Sequence, residues 1–232
     1  MRAAIPNALT LGNLLMGLLA LLALFKMDQP AWAAYCVLAA LVFDVLDGAV
    51  ARALKVSGEL GKQLDSLADA VSFGVVPGMT AYWLMDFWWM EQSKAAHWSI
   101  YLALLLPLAA VLRLARFNID SRQSHYFIGL PTPSAAAVVM SLAAAVVQND
   151  QWIWWLCHPL LLVLLSIVLS VAMLAPIPLV SLKPQGNGKG LHWVVYFLGI
   201  AGLPALWFLG VLAVPLVVCL YLLMSMIFFR PQ

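Results

Sequence analysis

Ala3–Phe25, AAIPNALTLGNLLMGLLALLALF, is 23 residues long and carries no formal charge. At about 1.5 Å of helix rise per residue this run reaches roughly 35 Å, enough to cross a hydrocarbon core of about 30 Å. The small residues of Ala31-Trp32-Ala33 resemble a cleavage site. The apolar run before them exceeds the ~7–15 residues of a signal-peptide core, so it is read as a retained span. The same pattern recurs along the chain. A second run opens at Gln29–Phe43, a third fills Ala70–Met85, and a fourth covers Ala95–Leu112. Gln123–Asn149 and Gln151–Leu182 hold the fifth and sixth. Gly190–Phe229 spans 40 charge-free residues, about twice one crossing, with a break expected near Gly210–Pro215.

Composition agrees with this reading. Of 232 residues, 65% are hydrophobic and 9% charged, and the mean hydropathy is +0.98. Soluble domains carry about 25% charged residues, and disordered chains are poor in apolar ones, so both classes are excluded. Continuous apolar runs also exclude a membrane barrel, whose strands alternate over ~10 residues. The expected fold is an all-α polytopic membrane protein with about eight transmembrane helices and no room for a second soluble domain.

Eight crossings sort the basic residues unequally. One face receives Arg2, Arg52, Lys55, Lys62, Arg113, Arg116, Arg122, Lys183, Lys189 and Arg230; the other receives Lys26 and Lys94. By the positive-inside rule the first face is cytoplasmic, so both termini are expected there, in an inner or cytoplasmic membrane. Trp88, Trp89, Trp98, Trp152, Trp154 and Trp155 then form an aromatic belt at the outer interface. His97, His158 and His192 read as interfacial and His125 as a solvated loop residue. Cys36, Cys157 and Cys219 are far apart and lack metal-ligand or disulfide spacing.

The second and third spans are broken by acids, Asp44 and Asp47 in one and Asp65 and Asp69 in the other. A carboxylate at mid-bilayer costs about 2.5–3.5 kcal/mol, so four demand compensation. Spacings of three and four place each pair on one helix face, and a hairpin between the spans lets all four converge. Converging anions call for a cation. Oxygen ligands without Cys or His select hard ions, Mg2+ or Mn2+, with Ca2+ also admissible. Four acids suit two divalent cations clamping phosphoryl oxygens. A proton relay, or salt bridges to Arg52 and Lys62, are the competing readings. Gly48, Ala51 and Gly61 beside the acids leave room for a close-lying ligand, and Arg52 could pair with phosphate oxygens.

Asp44-x2-Asp47-Gly48-x2-Ala51-Arg52-x8-Gly61-x3-Asp65-x3-Asp69 resembles the signature of the CDP-alcohol phosphatidyltransferase family at every one of its eight fixed positions over 26 residues. The resemblance implies a six-helix membrane core, residues 1–183, followed here by two additional C-terminal helices in 184–232. It implies two divalent metals in a site open to the cytoplasm. It also implies transfer of a phosphatidyl group from a CDP-linked lipid to an alcohol, with release of CMP. Asp44, Asp47, Asp65 and Asp69 would be metal ligands, with Asp65 and Asp69 catalytic and Asp69 the base for the incoming hydroxyl. Gly48, Ala51, Arg52 and Gly61 would contact the nucleotide and pyrophosphate, joined by Asn7 and Thr10 at the start of span one. For Asn7, helix capping is the plain alternative.

The acceptor is read elsewhere. Leu112–Asn118 reads LRLARFN and Phe127–Pro133 reads FIGLPTP. Arg113 and Arg116 lie three apart, and two guanidiniums facing a cavity would bind a carboxylate or phosphate; positive-inside anchoring is the simpler role. Asn118 and Ser72 are further polar candidates for the acceptor, while Gly129, Pro131 and Pro133 suggest a rigid loop and a helix start. These segments, with Ile5-Pro6-Asn7-x-Leu9-Thr10, Asp69–Gly74, Pro77 and Ser181-Leu182-Lys183, are similar to the membrane-embedded phosphatidylserine synthase branch. That branch implies CDP-diacylglycerol and L-serine as substrates and, as in many relatives, a homodimer. A glycerol-phosphate acceptor or an archaeal-lipid donor stays open. An ion-coupled transporter would show repeats or broken helices, and no second copy of the acid pattern exists. No nucleic acid polymer is expected as a partner.

Overall fold

The computed structural model describes residues 3–56, 58–92, 97–119, 127–148, 152–179, 204, 207 and 209–228. Apart from one two-residue strand pair, every regular element among them is helical, and the protein is an all-α polytopic membrane protein. Helix α1 covers Ala4–Phe25 and α2 covers Pro30–Ala53. The third span is one long helix in three parts: α3 (Glu59–Asp69), a π-helical turn (Ala70–Val75) and α4 (Val76–Glu91). A 3-10 segment (Trp98–Leu104) leads into α5 (Leu105–Ile119). Then follow α6 (Thr132–Gln148), the short α7 (Ile153–Leu156), α8 (Pro159–Leu174) and α9 (Ala213–Phe228). Three helical stretches, Ala4–Phe25, Pro30–Ala53 and Trp98–Ile119, are long and apolar enough to cross a bilayer, and Thr132–Val147, Pro159–Leu174 and Gly210–Met226 are shorter apolar helices. The expected seventh crossing, before Gly210, falls almost wholly outside the described residues, as do Arg122, His125, Lys183, Lys189 and His192.

Burial is inverted relative to a soluble protein. On α1 the outward residues are Leu11, Leu15, Leu18 and Leu22, while Thr10, Asn13 and Gly17 are buried. The same holds for α2, where Leu38, Val42 and Val45 are exposed and Asp47 is buried. Large apolar side chains facing out and polar ones facing in is the arrangement a hydrocarbon solvent selects.

Two clusters form the interior. One joins α4, the 3-10 segment, α5, α6 and α8 through residues such as Leu84, Ile100, Leu106, Val139 and Leu162. The other joins α1, α2, the π turn and α6 through Leu24, Val37, Phe73 and Met140. Helix α1 is the shared partner of α2, α3 and the π turn. Its approach to the turn is close: a Cβ on Gly17 would run into Ser72 Oγ, so only glycine fits. Pro77 accounts for the turn itself. It offers no N–H and its ring crowds the carbonyl four residues back. The backbone answers with a five-residue step in which Val76 N donates to Val71 O.

The FIGLPTP segment forms the loop and helix start that Gly129, Pro131 and Pro133 suggested, within the run Gln123–Asn149 that holds the fifth span. The helix starts at Thr132, and before it Phe127–Ile128 pair antiparallel with Pro178–Leu179 beyond α8. Gly129, at φ +75°, turns the chain between them. A Cβ there would collide with Met173 O, which explains glycine at this point of the FIGLPTP segment.

The depth of the acids follows from helix geometry. Counting back about 20 residues, or roughly 30 Å, from the interfacial Trp88 reaches residue 68. With Trp88 at one interface, as its place in the expected aromatic belt has it, Asp65 and Asp69 would fall at the edge of the apolar layer and not at its midplane. Asp47 is about 15 residues, roughly 22 Å, from Trp32 at the other end of α2. The burial cost argued from sequence is correspondingly smaller.

Candidate active site

Asp44 and Asp47 occupy the last two turns of the apolar part of α2, and Asp65 and Asp69 the second half of α3. Asp44, Asp47 and Asp65 each offer a carboxylate oxygen, and these oxygens lie within 4.8 Å of one another. Asp69, on the buried side of α3, is within electrostatic reach of the other three. Ionised carboxylates this close repel by about 3 kcal/mol per pair at an effective dielectric of about 20. The donor set is all oxygen, half-buried to buried, and three acids converge from two helices. These residues fit a divalent hard cation.

Helix α1 fixes the acids from the opposite side. Thr10 Oγ1 donates to Asp47 Oδ2 at 2.6 Å, with Pro6 O at 3.0 Å the competing acceptor for the same proton. Asn13 Nδ2 donates to Asp69 Oδ1 at 3.0 Å. Ser72 Oγ in turn donates to Asn13 O at 3.0 Å, locking the π turn onto α1. One acid of each pair is thus tied to α1, and the two pairs share one frame. Thr10, a candidate nucleotide contact, thus stands directly against Asp47. Ser72, a candidate for the acceptor, is fully buried against the α1 backbone. Asn13 was missed by the sequence reading, although an asparagine inside a charge-free run, three residues after Thr10 and on the same face, was its visible signal.

The remaining candidates divide into two groups. Around the acids, Arg52 folds back along α2, its Nη1 3.2 Å from the point a Gly48 Cβ would occupy. Ala51 is half-buried beside it. Asn7 Oδ1 lies 3.5 Å from the Cβ position of Gly61, bringing the start of α1 over α3. Asn7 is inside the first turn of α1, whose N-cap is Ala3, so it does not cap that helix. Lys62 Nζ, offered as a salt-bridge partner for the acids, donates to Asn118 O at 2.7 Å.

At the end of α5 the two arginines part. Arg113 is buried and interacts electrostatically with Asp69, whereas Arg116 is exposed. Asn118 Nδ2 donates to Ser66 Oγ at 2.8 Å, next to Asp65, while its Oδ1 is buried without a protein partner among the described residues. Arg113 Nε is likewise buried with no hydrogen-bond acceptor among them.

A carboxylate cluster on two helices, steadied by a third and flanked by a buried guanidinium, suits transfer of a phosphoryl-linked group between polar partners at a membrane edge. Sequence comparison decides the family: the model of CDP-alcohol phosphatidyltransferase matches residues 3–173. The chain belongs to the CDP-alcohol phosphatidyltransferase family. Curated relatives agree. A Mycobacterium bovis protein named CDP-diacylglycerol–serine O-phosphatidyltransferase is 36% identical over 161 residues, covering 65% of this chain and 52% of its own length. Helicobacter pylori and Bacillus subtilis proteins of the same name are 34% identical over 137 and 139 residues, covering 58% and 60% of this chain and 55% and 75% of theirs. The chain spans about half the length of the mycobacterial relatives it matches. The family match takes in α2 and α3, which carry the four aspartates and which α1 holds together.

Proposed function

We propose that this protein transfers the phosphatidyl group of CDP-diacylglycerol to L-serine, yielding phosphatidylserine and CMP. The observation that carries the reading is the meeting of Asp44, Asp47 and Asp65 with an Asn13-tethered Asp69 beside the buried Arg113. The names of the curated relatives add the acceptor.

Asp44, Asp47, Asp65 and Asp69 would hold two divalent cations, Mg2+ or Mn2+. When bound, these neutralise pyrophosphate charge and stabilise the departing phosphate. Gly48, Ala51, Arg52, Gly61 and Asn7 form the side of the site that receives the cytidine and pyrophosphate, with Arg52 free to swing from Gly48 onto phosphate oxygens. The serine hydroxyl attacks the phosphorus that carries diacylglycerol, and the bond to the CMP oxygen breaks. Asp69 takes the hydroxyl proton. Asn13 engages Oδ1 and so sets the direction of the remaining lone pairs. Serine brings a carboxylate, for which Arg113 Nε and the rest of its guanidinium are the cationic partner. Acyl chains of the donor stay in lipid, which is why the acids belong at the edge of the apolar layer. That edge is the cytoplasmic one by the distribution of lysine and arginine. Residues 1–183 form the catalytic core in this reading, and 184–232 the added helices.

A membrane assay tests it. CDP-diacylglycerol is offered with labelled serine, glycerol-phosphate, inositol or choline, each with and without EDTA. Label is expected in lipid from serine alone and only without chelator. Transfer to glycerol-phosphate in its place, or indifference to EDTA, overturns the proposal.

A further inference from the structure

Ser72 is a buried hydroxyl that the proposed reaction leaves unused. Elsewhere in the bundle such groups bond along their own helix. Thr80 Oγ1 donates to Val76 O at 2.9 Å, Ser141 Oγ to Val138 O at 2.7 Å and Ser166 Oγ to Leu162 O at 2.7 Å. A hydroxyl in an apolar layer has little other choice, because no water is there to receive its proton. Ser72 differs. It lies in the middle of the π turn, is 0% exposed, and donates across to the backbone of α1, to Asn13 O at 3.0 Å. Gly17 makes the crossing possible, since a Cβ there would run into Ser72 Oγ.

Asn13 is held at its other end by the same stretch of chain. Its side chain, 0% exposed, donates through Nδ2 to Asp69 Oδ1 at 3.0 Å. Asp69 and Ser72 are three residues apart, and both reach this one residue of α1. The backbone and the amide of Asn13 thus close a hydrogen-bonded ring with residues 69 and 72. Two attachments fix both the distance and the rotation of the third span against α1, where a single bond would leave the rotation open. The π turn begins at Ala70, the residue after Asp69, so the ring also pins the turn where the regular ladder gives way. Asn13 Oδ1 has no partner among the described residues, so the direction of the amide depends on how its backbone is held. We propose that Ser72 is a positioning residue for the transfer: by anchoring the backbone of Asn13 it keeps the amide on Asp69 Oδ1, and so keeps the carboxylate aimed at the hydroxyl it deprotonates. The inference rests on the reading of Asp69 as the base and extends it to a residue that touches no substrate.

Kinetics of Ser72→Ala in the full-length protein, in native membranes or mixed micelles with labelled serine, separate aim from packing. Loss of the hydroxyl is expected to lower kcat about tenfold. The KM values for serine and CDP-diacylglycerol should stay within about twofold. Ser141→Ala removes a buried hydroxyl that bonds within its own helix. It should lower Tm as S72A does and leave kcat within about twofold. In an Asn13→Ala background, S72A should lower kcat by no more than about twofold further, because the hydroxyl works through that amide, while its cost in Tm persists. Where S72A fails to accumulate, Ser72→Cys, close in volume but only a weak donor, carries the same readout. An unchanged kcat, a fall in kcat matched by a rise in both KM values, an equal loss of kcat in S141A, or a full additional loss in the N13A background would overturn the role of Ser72. Asp69→Asn is assayed alongside: wild-type rates there remove the base, and the role of Ser72 falls with it. A wild type that uses another alcohol and not serine overturns the choice of acceptor alone, and the kcat comparisons are then made with that alcohol.

Discussion

Helix α1 and helix α9 obey the same burial rule and meet different needs. Leu11, Leu15, Leu18 and Leu22 of α1 and Leu216, Leu220 and Leu223 of α9 face outward, while Thr10, Asn13, Tyr221 and Ser225 face inward. On α1, Thr10 and the amide nitrogen of Asn13 each donate to an aspartate of a neighbouring helix, while Asn13 Oδ1 is buried without a partner among the described residues. On α9, Tyr221 and Ser225 stand one turn apart on the inward face, and across the bundle on α5 Arg113 Nε and Asn118 Oδ1 are buried without a partner among the described residues. Satisfied polar groups rigidify what they hold; open ones leave room for a ligand. Two carboxylates of the acid end are therefore held by α1 in advance, and in the proposed reading the open Nε of Arg113 leaves the acceptor end to be finished by the substrate.

The hardest blow to this contrast falls on Asp69. Asp69→Asn should cut turnover by roughly 10²–10⁴-fold while CDP-diacylglycerol still binds, measured by initial rates and by lipid-substrate binding in parallel. Wild-type rates would remove Asp69 as the base. Next in size is its tether. Asn13→Ala loses a hydrogen bond to a charged group, worth about 1.5–3 kcal/mol, and should lower kcat about 10- to 100-fold with little change in either KM. If KM for the lipid rose instead, Asn13 would belong to binding and not to orientation.

The arginines sharpen the other end. Arg113→Gln should raise the serine KM at least tenfold, and Arg116→Gln should leave it within twofold, because the first is buried beside Asp69 and the second exposed. Equal effects would mean that the two share one surface. The smallest expected change concerns packing. Gly17→Ala places a methyl against Ser72 Oγ and should cost about 1–3 kcal/mol, read as a lowered Tm.

Much of this was legible in the chain itself, for a physical reason. Aspartates inside apolar runs are so costly that their number and spacing announce a site, and Asp44, Asp47 and Asp65 do meet. Charge-free runs likewise gave the helical membrane fold. What stayed hidden depends on which residues touch across the bundle. Arg113 and Arg116 share a helix and a spacing that allows one face, yet packing buries only one of them. That Thr10 meets Asp47, 37 residues on, is likewise set by helix packing. Asn13 and Asp69 are 56 residues apart, and no local pattern pairs them.

The π-helical turn at Ala70–Val75 has a consequence for how this chain tolerates change. One surplus residue in a helical ladder rotates everything beyond it by roughly 100°. Asp65 and Asp69 can therefore face α1 while the α4 side chains are set at a different azimuth for their own neighbours. Deleting a single residue between 70 and 75 would erase that offset, and one half of the helix would have to turn its working face away. At this point in the protein, spacing is under tighter constraint than side-chain chemistry.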